Sequence, residues 1–478
     1  MNKEDICFMS AWDMKEKIKS QELTSLEITE TLIERIEKIN PLINAYCTKT
    51  FDLARDMAKK ADDAVKKGEK LGILHGIPTS IKDIAQVKGV RTTFGSKVFE
   101  NYISDVDEPS VKKLKDAGIV LLGKTNTPED AHLSITDNQV FGVTRNPWNL
   151  ERCVGGSSGG AASAVAAGIS PLALGTDGGG SIRVPSCLCG IYGFKPNWGR
   201  VARGPTHVGG GTPVCCTLST FGPMTRYVKD AALMLEAMAG PNFIDKHSLI
   251  PKDTNYIDAM KEERSNKLKI GYTFDYGYIK VYDKEVEKAF LNVFQKFETF
   301  DWSVEEVKFR FKNAGGILGT LIATATARGF KPLLNEWRDK LSPTLVKRVE
   351  MGMDISGIDL LRAESDREKV AIKLSNYFKD YDILLTPTST IPAWEADVPE
   401  KVIKINGITT STTFSGYGFV WPFNMGWNPA TTIPCGWFSD GLPMGMQIGG
   451  RKLDEKTVLQ VSQAFEEIYP FYEKRPQF

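Results

Sequence analysis

The segment V-G-G-S-S-G-G at Val154–Gly160 runs into the alanine-rich stretch Ala161–Ala167 and then into the short apolar run P-L-A-L-G-T at Pro171–Thr176. The alanine-rich stretch predicts a helix, and the apolar run predicts a buried strand. Two similar apolar runs precede it, at Ile77–Ile84 and Gly118–Lys124. Short apolar runs that alternate with helical patterns are typical of α/β sheets. The sequence therefore predicts an α/β fold.

The N-terminus and the later middle of the chain carry helical patterns. Thr24 followed by Glu27 has the spacing of a capping box, and an apolar stripe at helical spacing follows it. Further helices are predicted at 51–67, in much of 240–380 and at Glu455–Ile468. No linker and no internal repeat interrupts these patterns, so we expect one large domain.

The composition excludes several classes of protein. The chain has 478 residues, and its 60 Lys+Arg nearly balance its 59 Asp+Glu. This balance lacks the basic excess that is typical of nucleic-acid binding. The chain contains no run of about 18 apolar residues that would predict a membrane span. The first residues lack the apolar core of a secretion signal. We therefore expect a cytoplasmic protein without nucleic-acid or membrane partners.

The cysteines and histidines do not have the spacing of a metal site. The eight cysteines include one C-x-C pair and one C-C pair, but no C-x-x-C pair of the zinc type. The four histidines form no H-x-x-x-H pair. We expect reduced, mostly buried cysteines and no bound metal.

Three segments contain residue types that could carry out a reaction. Lys82 lies in the apolar segment G-I-P-T-S-I-K-D-I at Gly76–Ile84, where burial would lower its pKa and make it a base. The loop at Val154–Gly160 can present backbone N–H groups at a helix start. In Gly175–Pro185, three consecutive glycines precede Ser181 and can form an oxyanion site beside a nucleophile. A surface lysine and ordinary glycine-rich turns are the simpler interpretations.

Together, these three segments resemble the amidase signature family, which combines a lysine segment, a G-G-S-S-G-G loop and a D-x-G-G-S-I-R segment. The separation of Ser157 and Ser181 by 24 positions also matches the family. The likeness continues in T-D-N-Q-V-F-G-V-T-R-N-P-W-N-L at Thr136–Leu150 and in P-F-N-M-G-W-N-P-A-T-T-I-P-C-G at Pro422–Gly436. It implies an α/β domain in which helices cover both faces of a mixed β-sheet.

The resemblance also implies how a single domain spanning 1–478 is organised. It is dense from about 70 to 235 and from 380 to 470, and thin between 240 and 375. The implied parts are an N-terminal helical layer at 1–70, a catalytic core at 71–235, a variable helical insertion at 240–375 and the C-terminal part of the core at 380–478.

When the family's catalytic roles are assigned to the matching positions of this chain, the resemblance implies a serine amidase that acts through an acyl-enzyme. The implied catalytic residues are the nucleophile Ser181, the bridging Ser157, expected after a cis peptide bond from Gly156, and the base Lys82. The implied oxyanion hole consists of the backbone N–H groups of Gly178, Gly179, Gly180 and Ser181, and the implied supporting residues are Ser158, Asp177 and Arg183. No cofactor is implied. At an ordinary lysine pKa of about 10.4, only about one molecule in a few thousand has a neutral lysine at pH 7, so Lys82 must be buried or lie near another cation.

The substrate follows less directly from the sequence. In the family, the acyl pocket is formed by segments that correspond here to His132–Ile135, Pro205–Cys216, parts of 310–330 and Phe414–Asn428. The last is rich in aromatic residues, which indicates an apolar acyl channel, although core packing explains them equally well. The residues implied in substrate binding are His132, Ser134, Trp421 and Asn424. We expect a linear apolar, aryl or aminohexanoate-type amide as the small-molecule substrate.

Two alternatives remain open. The chain also resembles the glutamine-hydrolysing subunit of tRNA-dependent amidotransferases, although Met351–Arg362 lacks the tyrosines of that subunit's tRNA-binding segment. The other alternative is a catalytically silent binding protein on the same scaffold, which the presence of Lys82, Ser157 and Ser181 disfavours. The resemblance also implies a homodimer.

Overall fold

The computed structural model describes residues 2–204, 217–250, 254–262, 267–279, 282–297 and 299–478. The segment Pro205–Cys216, which we expected to line the acyl pocket, lies outside the described residues. The strands in the described ranges are β1 Tyr46–Lys49, β2 Pro78–Lys82, β3 Val120–Thr125, β4 Arg145–Asn146, β5 Asn149–Cys153, β6 Leu172–Asp177, β7 Tyr192–Lys195, β8 Thr220–Thr225, β9 Lys269–Tyr272, β10 Ser303–Glu306, β11 Ile383–Pro387, β12 Val402–Ile405, β13 Ile408–Ser411, β14 Ala430–Trp437 and β15 Pro443–Gly450.

Helices occur throughout the chain. Those in the same ranges are α1 Lys3–Phe8, α2 Ala11–Lys19, α3 Ser25–Ile43, α4 Phe51–Lys66, α5 Pro109–Asp116, α6 Gly159–Ala166, α7 Arg183–Cys189, α8 Val228–Met238, α9 Tyr256–Ala259, α10 Lys284–Phe297, α11 Ala314–Trp337, α12 Pro343–Met353, α13 Gly357–Asp380, α14 Thr412–Tyr417, α15 Trp421–Met425 and α16 Glu455–Ile468. No helix within the described part of the chain is long and apolar enough to cross a membrane.

A single mixed sheet organises the fold. Among the described residues, it contains 11 strands in the order β1-β3-β2-β6-β8-β7-β14-β15-β11-β9-β10. Strand β2 runs parallel to both β3 and β6, whereas β14 and β15 are antiparallel. Every residue of β2, β3, β6 and β15 is buried. Because successive side chains point to opposite faces of a strand, both faces of the sheet are covered there, which confirms the predicted α/β class.

Most of the predicted elements are present. Helix α3 begins with the capping box: Thr24 Oγ1 accepts from the Glu27 N–H at 3.1 Å, and Glu27 Oε2 accepts from the Thr24 N–H at 2.7 Å. Helix α16 spans the predicted residues Glu455–Ile468.

Several strands of the sheet were not predicted from the sequence, among them β1, β9 and β10. Strand β1 lies within the expected N-terminal helical layer and pairs with β3. Strands β9 and β10 lie within the expected helical insertion, and they form the other edge of the sheet. The stretch 240–375 is therefore not purely helical. The four residues of β10 read S-V-E-E and are mostly exposed, so they show no apolar run that would have indicated a strand.

The two central strands β2 and β6 bring the reactive segments together. Because they are parallel neighbours, their carboxyl ends meet at the same edge of the sheet. Lys82 is the last residue of β2, and Asp177 is the last residue of β6. The loop carrying Ser181 follows β6 directly, and the loop carrying Ser157 leads into α6.

Candidate active site

Lys82 is a fully buried lysine bound by three hydroxyl groups. Its Nζ lies 2.6 Å from Ser157 Oγ, 3.0 Å from Ser158 Oγ and 2.7 Å from Thr176 Oγ1. Its exposed fraction is 0%. Burial lowers the pKa of Lys82 well below its usual value, and the opposing carboxylates of Asp177 and Asp130 do not reverse this shift. The buried lysine required by the sequence interpretation is therefore present.

The loop that carries Ser157 fits tightly between its neighbours. The peptide bond between Gly156 and Ser157 is cis, as the resemblance predicted. A Cβ added to Gly160 would lie 2.4 Å from Asn126 N, so this position of the G-G-S-S-G-G motif must be glycine for the start of α6 to approach β3. The Ser158 hydroxyl donates to Thr176 O at 3.1 Å, which joins this loop to β6.

Asp177 and Arg183 form a buried ion pair at the root of the Ser181 loop. The guanidinium donates from Nε to Asp177 Oδ2 and from Nη2 to Asp177 Oδ1, both at 2.9 Å. Burial alone would raise the pKa of Asp177, but the adjacent Arg183 holds it below its usual value. The ion pair supports the loop, in agreement with the expected role of both residues.

One of the four expected oxyanion donors is engaged elsewhere. The Gly180 N–H donates to Asp177 Oδ1 at 2.8 Å and therefore points into the ion pair, not toward a substrate. This finding removes Gly180 from the expected oxyanion hole. The remaining candidates are the N–H groups of Gly178, Gly179 and Ser181.

Ser181 adjoins the Ser157 loop through the backbone. The Ser158 N–H donates to Ser181 O at 3.2 Å, and Ser181 is partly exposed, unlike Ser157. No hydrogen bond joins the two side-chain oxygens of Ser157 and Ser181 among the described residues. Catalytic hydrogen bonds in a ligand-free site are often long and tighten only when substrate binds.

Three of the four residues expected to bind substrate use their polar groups within the protein. His132 Nδ1 contacts Glu129 O at 2.5 Å, and its Nε2 contacts Thr344 Oγ1 at 2.8 Å. Burial and the neighbouring cation Arg348 lower the pKa of His132 to about 3. The Ser134 hydroxyl donates to Pro399 O at 2.7 Å.

Asn424 is the third such residue, and it belongs to the support of the Ser181 loop. It is fully buried, accepts from Arg183 Nη2 at 2.6 Å and donates to Asp177 Oδ1 at 2.8 Å. Because Asn424 is fully buried and its polar groups are already satisfied, its expected substrate contact is corrected to a structural one. The substrate contacts of His132 and Ser134 stay predictions.

Trp421 belongs to an aromatic group near the loop Gly178–Ser181. Its ring stacks on Tyr278 at 6.4 Å and meets Phe414 edge-on at 5.6 Å. A Cβ added to Gly315 of α11 would lie 3.0 Å from this indole, and one added to Gly179 would lie 3.3 Å from Leu318 of the same helix. Helix α11 therefore contacts both the loop Gly178–Ser181 and the aromatic group.

Sequence reasoning gave no specific role to two residues that contact the site. Thr176, the last residue of the apolar run Pro171–Thr176, supplies the third hydroxyl that binds Lys82. Tyr417 lies in the aromatic-rich segment Phe414–Asn428, and its hydroxyl binds the backbone at the Ser157 loop. The sequence carries no signal for either contact, because both depend on where distant strands and helices place a hydroxyl group. Among the residues that the structure describes, no cluster of three or more His, Cys, Asp or Glu could hold a metal ion.

Comparisons with known proteins place the chain among amide-hydrolysing enzymes. The model of the amidase family matches residues 27–459, so the chain belongs to the amidase family. It is 34% identical to an acylamidase of Rhodococcus erythropolis, with 100% of this chain and 98% of that protein covered. It is also 35% identical to the A-subunit of the glutamyl-tRNA(Gln) amidotransferase of Carboxydothermus hydrogenoformans, with 99% and 100% covered. A bacterial aryl acylamidase of the amidase signature family superposes with a TM-score of 0.88 at 31% identity, covering 98% of each chain.

Proposed function

We propose that the chain is a serine amidohydrolase that cleaves a carboxylic amide C–N bond through an acyl-enzyme. Ser181 is the nucleophile, Ser157 relays protons and Lys82 is the base. The observation that carries this proposal is the 2.6 Å contact between Lys82 Nζ and Ser157 Oγ at a buried position where the pKa of Lys82 is lowered. A neutral amine can accept a proton, whereas an ordinary lysine is protonated at neutral pH.

The proposed reaction begins with proton transfer along the two serines. Neutral Lys82 takes the proton of Ser157 Oγ, which takes the proton of Ser181 Oγ as the latter attacks the carbonyl carbon. The N–H groups of Gly178, Gly179 and Ser181 stabilise the negative charge on the carbonyl oxygen. The C–N bond then breaks, and the leaving nitrogen receives a proton from Ser157, which regains one from Lys82. A water molecule loses a proton along the same route, attacks the acyl-enzyme and releases the carboxylic acid.

We further propose that the substrate is a linear apolar, aryl or aminohexanoate-type amide. The aromatic group at Trp421 and Phe414 and the contact of Leu318 with Gly179 support an apolar acyl side. The names of the acylamidase relative and of the aryl acylamidase structure are consistent with this class.

The test is amine or ammonia release by the purified single chain. The panel contains short aliphatic, long aliphatic, aryl and aminohexanoate amides together with glutamine, and Ser181→Ala is the control. Turnover of an apolar amide that is lost in Ser181→Ala would support the proposal. Equal turnover of apolar and charged acyl groups would contradict the apolar acyl side.

A second candidate is the glutamine-hydrolysing subunit of an amidotransferase, which the relative from Carboxydothermus hydrogenoformans favours. Turnover of glutamine alone, or activity only after further subunits are added, would support this candidate. A chain that is inert to every amide and is not labelled at Ser181 by a fluorophosphonate would instead indicate a silent binding protein.

A further inference from the structure

The hydroxyl of Tyr417 binds the backbone beside the relay serine. It accepts from the Gly156 N–H at 2.7 Å and lies 2.8 Å from both Gly156 O and Ser134 O, to which it can donate its single proton. Gly156 O is the carbonyl oxygen of the peptide bond that leads into Ser157. Tyr417 therefore contacts both polar groups of the residue immediately before the relay serine.

The same glycine also packs against backbone carbonyl groups. A Cβ added to Gly156 would lie 2.6 Å from Leu133 O and 2.8 Å from Ile135 O, so the Gly156 Cα packs directly on this segment. The Tyr417 hydroxyl binds Ser134 O, which lies between these two carbonyls in the chain. Gly156, the segment 133–135 and the phenol are therefore in mutual contact.

The ring of Tyr417 also contacts the second serine loop. A Cβ added to Gly180 would lie 3.1 Å from Tyr417 Cδ1, so the ring packs against the residue that precedes Ser181. Burial raises the pKa of the Tyr417 phenol well above its usual value, so the hydroxyl remains protonated at neutral pH. One buried side chain thus contacts the loops of both serines.

We propose that Tyr417 is a positioning residue that holds Ser157 Oγ between Lys82 Nζ and Ser181 Oγ; this inference rests on the proposed function of the two serines. The phenol acts through the Gly156 backbone and does not contact substrate. Loss of its hydroxyl should let the Ser157 loop shift, and a displacement of about 1 Å at reacting groups can cost about 100-fold in rate.

The experiment measures the rate at which a fluorophosphonate labels Ser181, followed by intact-protein mass spectrometry. This readout does not depend on knowing the natural amide. Wild type is compared with Tyr417→Phe, which keeps the ring, and with Ser181→Ala, which gives the background. The matched control is Tyr377→Phe, because the buried Tyr377 hydroxyl also accepts from a glycine N–H, that of Gly271 at 3.0 Å, and donates to a backbone carbonyl, Ile383 O at 2.8 Å. These contacts lie on β9 and β11, which are not neighbours of β2 or β6 in the sheet.

We expect Tyr417→Phe to be labelled about 10- to 100-fold more slowly than wild type, and Tyr377→Phe to be labelled at the wild-type rate. The loss should fall on the maximal labelling rate, while the reagent concentration at half-maximal rate stays within about two-fold, since binding is unchanged. All variants are compared at a temperature at which far-UV circular dichroism shows them folded.

The outcomes separate this inference from the proposed function. Labelling of wild type at Ser181 with an equal rate in Tyr417→Phe would overturn the role of Tyr417 and leave the nucleophile assignment intact. Equal losses in both tyrosine variants would also overturn it, because they would reflect packing alone. Wild type that is not labelled at Ser181 would overturn the proposed function together with this inference.

Discussion

Replacing Lys82 by Met tests whether the buried amine is neutral in the folded protein. Lys82 is fully buried and its pKa is lowered by burial, whereas its pKa in the unfolded chain is about 10.4. If the side chain is neutral when folded, folding must remove its proton. That removal costs about 5 kcal/mol at pH 7 and about 2 kcal/mol at pH 9, because each pH unit below 10.4 adds about 1.4 kcal/mol.

The sign of the pH dependence follows from proton counting. Between the lowered pKa of the folded state and about 10.4, the unfolded chain binds the extra proton, so this group makes the wild type more stable as pH rises. The Lys82→Met variant lacks this amine, so its free energy of unfolding lacks this dependence on pH. We therefore expect the stability of wild type relative to Lys82→Met to increase by about 3 kcal/mol from pH 7 to pH 9. The three hydrogen bonds that the variant loses do not titrate in this range and cancel between the two pH values.

The assay is urea unfolding followed by the fluorescence of the nine tryptophans at pH 7, 8 and 9. The matched control is Met in place of the exposed Lys60, for which we expect no such change relative to wild type. A difference between Lys82→Met and wild type that stays constant with pH would mean that Lys82 keeps its proton in the folded protein. That result would refute the neutral-base reasoning.

Three further changes test the rest of the site. The rate of amide hydrolysis should rise with pH through the lowered pKa of Lys82 and level off below about pH 10.4, because the base must be unprotonated. Initial rates measured between pH 5 and 10 test this expectation, and a rate that does not change with pH would contradict it. Arg183→Met should lower the free energy of unfolding by about 3–5 kcal/mol, because it leaves the Asp177 carboxylate buried without its partner; a loss below about 1 kcal/mol in urea titrations would count against the role of the pair. Gly180→Ala should slow fluorophosphonate labelling by at least about 10-fold, because its φ is 111° and the new Cβ would lie 2.4 Å from Val420 Cγ2. Gly319→Ala, whose Cβ would meet nothing within 4 Å, is the control and should be labelled like wild type.

The sequence was most informative where a local pattern determines local structure. The capping box at Thr24 and Glu27 and the helix at Glu455–Ile468 depend on residues close in the chain, and both are present. The α/β class followed from apolar runs that are buried on both faces, whereas the mixed sheet was implied by the family resemblance. Strand β10 was missed because its S-V-E-E residues pair at a mostly exposed edge, where no hydrophobic period is required.

The candidate site could be predicted only in part. The buried position of Lys82 and its contact with Ser157 agree with the resemblance, because the motif segments carry these residues. The contacts of His132 and Asn424 could not be predicted, since their partners lie 212 and 241 positions away in the chain. A polar residue near a site looks the same in sequence whether it faces a ligand or a buried ion pair.

The hydrogen bonds that Arg183 donates to later parts of the chain have a consequence for the synthesis of the protein. Besides Asp177, the guanidinium donates to Asn424 Oδ1 and Gln447 Oε1, which lie 241 and 264 positions later in the chain. During translation, the loop of Ser181 therefore leaves the ribosome long before the side chains that hold it in place. We expect the nascent chain to remain inactive until Gln447, 264 positions after Arg183, has emerged and can accept from the guanidinium.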